Sequence, residues 1–286
     1  MVSEVQLVKS EGMEEFTELQ EVIINTLSVF HDFCQEHNLT YHLGGGTLLG
    51  AVRHKGIIPW DDDIDVDMPR HDYERLLQLA AQFPQPFQVK HFNTDKNYVY
   101  PFIKIYNPKL QVTEFFGQQS YTSGAWIDVF PMDGVPTNMR FRKLHFFIVK
   151  KLRFLFQLKN RGYQPPQNKE SKTYYLKLLI KPLVSLVLSV LSTRFIFKLM
   201  DKTAALKSYN SSDYIGAFYS PCGVKASFPK AVYEKTLPGE FNGYLFNIPA
   251  GYDLFLKSQY GDYMTPPPPK ERQTHNIEVM SLAQED

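Results

Sequence analysis

The sequence predicts a mixed α/β domain, and three observations carry that expectation. Residues 13–38 and 70–83 repeat apolar side chains at the three- and four-residue spacing of helices buried on one side. Asp63 to Met68 instead alternates acidic with apolar residues, the two-residue period of a strand, and Trp126 to Phe130 is an apolar strand-like run that carries Asp128 between Ile127 and Val129. Between the first helix and the first of these strands stands Gly44-Gly45-Gly46, the composition of a tight turn.

With 286 residues and 43% hydrophobic content the chain can bury one large core. One catalytic domain over 1–286 is expected, interrupted by a helical insertion at roughly 137–212. A net charge of +1 supplies no field for nucleic acid, which is not expected as a partner. Two cysteines, Cys34 and Cys222, are too few for a disulfide framework or a four-thiolate zinc site and suit a reducing compartment. The opening MVSEVQLVKSEG has no apolar signal-peptide core, so a cytoplasmic location is expected.

In order along the chain, Phe16, Leu19, Ile23, Leu27, Phe30 and Cys34 form the stripe of the first helix, which Asn38 ends. Tyr41 to Leu43 reads as a strand, and Thr47 to His54 as two helical turns. The second helix, Arg70 to Phe83, stops at Pro84-Gln85-Pro86. Short strands are expected at Phe87–Phe92, Tyr100–Tyr106 and Gln111–Phe116, with Asn107-Pro108 as a turn. A strand at Trp126–Phe130 follows, and Asp133-Gly134 reads as another turn. Residues 140–161 carry eight Lys/Arg and no acid, with phenylalanines and leucines between them. Beyond lies a second apolar run whose core, Pro182 to Leu191, is too short to cross a bilayer. This insertion reads either as a helical subdomain with a basic outer face or as an element lying on an anionic membrane surface. Further on, Pro238-Gly239 and Asn242-Gly243 are hairpin-like turns, Tyr252 to Tyr260 is helical, and a PPPP run leads to Arg272 and His275.

The chemistry concentrates between Tyr41 and Met68. Asp61, Asp62, Asp63, Asp65 and Asp67 place five carboxylates in seven residues, which repel one another unless a cation or water lies among them. With Ile64, Val66 and Met68 turned to a core, Asp63, Asp65 and Asp67 share the opposite face. Neighbours on that face stand about 7 Å apart at Cα, and both can reach one hard cation such as Mg²⁺. A calcium loop is rejected, because Met68 and Pro69 stand where its sharp turn needs glycine. A glycine turn opening a short helix offers backbone N–H groups of Gly45, Gly46 and Thr47 to phosphate. Asp128, between Ile127 and Val129, is costly to bury unpaired, so a metal or catalytic role is expected. Arg53 has two readings, a salt bridge to the acidic cluster or a phosphate ligand. Lys104, in the alternating FIKIY, is either a phosphate ligand or an exposed strand lysine.

GGTLLGAVRH followed by IPWDDDIDVDM resembles the signature of the LicD family of phosphocholine and related phospho-alcohol transferases, a motif shared with the fukutin-related proteins. The resemblance covers Leu39 to Glu74, and continues through WIDVFPMDG and FNIPAGYDLFLKSQYGDYMTPPP. It implies a nucleotidyltransferase-type mixed sheet with flanking helices. Gly45-Gly46-Thr47 matches the glycine turn of that pattern, Asp63-Ile64-Asp65 its D-x-D strand, and Asp128 its later acid. Asp63, Asp65 and Asp128 are then the catalytic and metal-binding residues, for Mg²⁺ or Mn²⁺. Gly45, Gly46, Thr47, Arg53, His54 and Lys104 bind substrate, His54 being included because the family motif contains it. The implied donor is a CDP-alcohol, CDP-choline first. The implied acceptor is a sugar hydroxyl of a cell-surface glycan such as a teichoic acid or lipopolysaccharide precursor, lipid-linked at the inner face of the membrane. Two alternatives remain open at this point. A metal-dependent glycosyltransferase also uses a D-x-D pair, but does not need the glycine turn. A non-catalytic membrane-surface scaffold would have no use for Asp128.

Overall fold

A computed structural model describes residues 17–116, 119–161, 190–272 and 277–281. Phe16, most of the Pro182–Leu191 run and His275 lie outside these described residues. The fold is α+β: a curled mixed sheet with helices packed around it.

Helix α1 (Thr17–Glu36) buries Leu19, Ile23, Leu27, Phe30 and Cys34, the stripe read from the sequence. Its chain reverses at Asn38, which takes the left-handed conformation (φ 51°) that asparagine tolerates. Strand β1 (His42–Leu43) runs antiparallel to β2 (Asp65–Pro69). Helix α2 (Gly45–Arg53) lies between them in sequence, and α3 (Arg70–Leu79) follows β2 without a gap. Gly45 and Gly46 thus lie in the first turn of α2 and Gly44 is its N-cap, rather than all three forming a loop before it.

The sheet order is β1-β2-β5-β4-β10, with β4 spanning Ile103–Phe116, β5 Gln119–Val135 and β10 Ile277–Ser281. Strand β3 (Gln88–Lys90) pairs with β4. The far end of β5 pairs with β6 (Tyr214–Gly216), which pairs with β7 (Ser227–Pro229). Among the described residues, only β2 and β5 pair in parallel. In register, Val66 meets Val129 and Val129 meets Ile103, all fully buried. This apolar row is one face of the sheet's centre, and α1 packs on β4 and β5.

Three local expectations are corrected. Asn107-Pro108 is not a turn between strands but a bulge inside β4, where the register shifts between Asn107 and Gln111. Gly124 sits opposite it, and a Cβ there would lie 2.4 Å from the Asn107 carbonyl oxygen. Asp133-Gly134 lies in β5, because β6 supplies a partner strand that local sequence does not reveal. Pro238-Gly239 lies within β8 (Thr236–Phe241), which forms a separate two-stranded sheet with β9 (Tyr244–Pro249). The reversal falls at Asn242-Gly243, both at positive φ.

Helices α4 (Met139–Arg161) and α5 (Thr193–Ala204) pack against each other, and α6 (Tyr252–Tyr260) ends at Gly261. Ser192 caps α5 by accepting the Phe195 N–H at 3.1 Å. Among the described residues, no helix is long and apolar enough to cross a membrane.

Candidate active site

The parallel pairing of β2 with β5 builds the site. Asp65 stands directly opposite Asp128, and Asp128 directly opposite Lys104 on β4. Residues opposite one another share a face, so Asp65, Asp128 and Lys104 form a row across three strands. Asp63 precedes β2 rather than lying in it, yet its carboxylate joins the row. One ligand oxygen from each of Asp63, Asp65 and Asp128 lies within 4.8 Å of the others. A second trio, Asp61, Asp62 and Asp63, meets the same distance and shares Asp63. Asp67, the fifth carboxylate, belongs to neither trio. It accepts a hydrogen bond from the Tyr233 hydroxyl at 2.9 Å and is buried.

The glycines and aspartates fit together in pairs. A Cβ on Gly44 would lie 3.0 Å from the Asp67 carboxylate, and one on Gly45 2.6 Å from Asp65 Oδ2. One on Gly46 would lie 2.7 Å from Asp61 Oδ2. Gly45 is also at φ +46°, which side chains rarely adopt. The carboxylates therefore press on the first turn of α2, where the N–H groups have no carbonyl of the helix to donate to and the helix dipole favours negative charge. The glycine run leaves room for these carboxylates, a fit the sequence alone does not reveal. Thr47 ties the two elements together: its Oγ1 accepts the Asp65 N–H at 2.8 Å, while Gly44 N–H donates to the Asp65 carbonyl at 2.9 Å.

Burial raises the Asp65 carboxyl well above its ordinary range, and Asp63, Asp128, Asp61 and Asp67 push it further. Burial also raises Asp128, to about 7, against the opposing pull of Lys104. Three converging carboxylates are the hard oxygen donors that Mg²⁺ or Mn²⁺ prefers, so the residues fit such an ion.

Lys104 is not the exposed strand lysine of one of its two expected readings. Its side chain is 2% exposed, so it is not a surface lysine. Its Nζ lies 3.0 Å from Asp128 Oδ1 and 3.7 Å from Glu114, between the rings of Trp126 and Tyr100. Tyr100 in turn donates a hydrogen bond to Glu114. Lys104 thus stands beneath Asp128 as its counter-charge. Arg53 donates to the Tyr263 carbonyl at 2.8 Å and to His54 Nδ1 at 3.2 Å. His54 meets the edge of Trp60, and the Arg272 guanidinium lies over the Trp60 ring at 4.0 Å. Arg53 and His54 therefore border the site on the side of Trp60, the residue before the acidic run.

One ion-pair network was not visible in the sequence. Arg70, directly after β2, makes a two-pronged contact with Asp133 of β5 at 2.7 and 2.6 Å and reaches Asp201 of α5 at 2.7 Å. Nothing local announces it; it depends on residues far away in the chain.

A sheet that sets two acids of parallel strands opposite each other, beside a glycine-started helix, is the arrangement expected of a nucleotidyltransferase-type domain. The sequence matches the family model described as "LicD/FKTN/FKRP, nucleotidyltransferase domain" over residues 38–165, which include Asp63, Asp65, Lys104 and Asp128. The chain belongs to the LicD family. It is 34% identical over 278 residues to the lipopolysaccharide cholinephosphotransferase LicD of Haemophilus influenzae, covering 91% of this chain and 96% of that protein. Shorter similarities reach an uncharacterized Rickettsia typhi protein, 44% identical over 21% of this chain and 20% of that protein. The human ribitol 5-phosphate transferase FKRP is 49% identical over 14% of this chain and 8% of its own length.

Proposed function

We propose that this LicD-type phosphotransferase moves phosphocholine from CDP-choline onto a sugar hydroxyl of a lipopolysaccharide or teichoic acid precursor, releasing CMP. The observation that carries the reading is the register that sets Asp65 opposite Asp128, with Asp63 close enough to share a ligand. Identity to a cholinephosphotransferase along nearly the whole chain supports the choice of group.

Asp63, Asp65 and Asp128 would hold Mg²⁺ or Mn²⁺. Such an ion, when bound, draws charge from diphosphate oxygens. The first-turn N–H groups of α2 at Gly45, Gly46 and Thr47 face the same anionic group and add their dipoles. Arg53 and His54 border the nucleotide side. The acceptor oxygen forms the new bond to the choline-bearing phosphorus, and the bond from that phosphorus to the CMP oxygen breaks. The hydroxyl proton passes to Asp128. Lys104 holds the Asp128 carboxylate in the row. The enzyme would act in the cytoplasm, at the inner membrane face where a lipid-linked acceptor lies.

The test is CMP release from a panel of CDP-alcohols with Mg²⁺ and a glycan acceptor. CDP-choline should be turned over, and chelation should stop it. Release from a nucleotide-sugar, with none from any CDP-alcohol, would overturn the reading.

A further inference from the structure

Helices α4 and α5 run antiparallel. The His145 ring lies 2.6 Å from the Thr203 carbonyl, and the Phe156 and Phe197 rings are 4.6 Å apart. Their inner sides are occupied. Phe146 and Val149 are buried, the Arg142 guanidinium lies 3.7 Å over the Tyr214 ring, and Arg153 donates to the Tyr219 carbonyl at 2.9 Å. Two of the eight basic residues of 140–161 are therefore internal fixtures.

The outer sides differ. On α4, Phe141, Leu144, Phe147, Ile148 and Phe154 are between 41% and 63% exposed. Arg140, Lys143, Lys150 and Lys151 are exposed among them. On α5, Phe195 and Leu199 are exposed beside Lys198 and Lys202. Residues 139–161 contain no acid, and the single acid of α5, Asp201, turns inward to Arg70.

We propose that the joined outer faces of α4 and α5 dock on the anionic surface of a phospholipid membrane. This deepens the functional reading and rests on it for why a membrane should matter: substrate and enzyme would share one surface. The charge decides the occupant. A surface with lysines and no acid is complementary to anionic headgroups, each lysine strengthening partition roughly fivefold. The large apolar side chains between the lysines suit the acyl boundary, as in a basic amphipathic helix lying in the interface. A nucleic-acid duplex, its bases already stacked, would use the lysines but leave the phenylalanines in water.

The experiment is co-sedimentation of the full chain with vesicles of phosphatidylcholine alone, or mixed with phosphatidylglycerol, at low and high salt. The protein should pellet only with the anionic vesicles and be released by salt. Neutralising three exposed lysines together (Lys143→Gln, Lys150→Gln, Lys151→Gln) should lower the partition coefficient about a hundredfold. Phe147→Ser with Phe154→Ser should lower it while leaving the circular dichroism and CMP release in solution unchanged. Wild type remaining in the supernatant with anionic vesicles at low salt overturns the proposal, whether a second copy or the chain's own 162–189 covers the face. Salt-insensitive pelleting of the lysine variant overturns it as well. Because binding is read without turnover, its failure is separate from failure of the CMP-release assay.

Discussion

Replacing Gly45 by alanine tests the link between the glycine turn and the carboxylate row. The added Cβ would lie 2.6 Å from Asp65 Oδ2, about 0.8 Å short of the 3.4 Å at which ordinary contact begins. Backbone on that side is held by the Gly44–Asp65 hydrogen bond, so the Asp65 side chain must give way. A shift of that size in a group that positions the reaction costs about a hundredfold in turnover. Alanine at φ +46° also strains the backbone, by about 1–2 kcal/mol. Gly243→Ala separates the two effects. It stands at φ +81° in the β8–β9 turn with nothing within 4 Å of the added Cβ, so it carries strain alone. Urea unfolding should show comparable losses in the two variants. CMP release from CDP-choline, and Mg²⁺ binding by calorimetry, should fall only in Gly45→Ala. Equal activity in both variants would refute the argument that Gly45 makes room for a metal ligand.

Three further outcomes are expected. Asp63→Asn and Asp65→Asn should each abolish turnover by several orders of magnitude, and relieved repulsion should raise the metal-free melting temperature; normal CMP release would remove these residues from the site. Asp133→Asn leaves Arg70 buried with only Asp201 and should cost about 3 kcal/mol, read as a lower urea midpoint; a loss well under about 1 kcal/mol would mean the pair is dispensable. Burial, with Arg70 nearby, lowers the His91 pKa to about 3. Above pH ~6.5 the ring is neutral in both folded and unfolded states and contributes no slope. As pH falls below that value the unfolded chain takes up a proton that the fold refuses, so stability is lost by about 1.4 kcal/mol per pH unit down to the folded value. His91→Gln should remove that component from the slope between about pH 6 and pH 4, measured by urea unfolding at each pH.

The amino-acid sequence by itself determined the elements that repeat locally. The stripe of α1 is visible because a helix returns to the same face every three or four residues. Val66 and Met68 inside, with Asp65 and Asp67 opposite, is visible because a strand alternates, and the same rule singles out Asp128 between Ile127 and Val129. The glycine-then-aspartate order also identified the centre of the domain.

Only the tertiary structure decided who meets whom. That Asp128 faces Asp65 on one side and Lys104 on the other is a matter of strand register, which no single segment contains. The same holds for Asp67, bonded by a tyrosine 166 residues away, and for Asp133, a strand residue because Arg70 and β6 stand beside it. Gly44, Gly45 and Gly46 look alike in sequence, yet each makes room for a different aspartate. Burial and charge pairing act through space, and they join residues that local rules treat as independent.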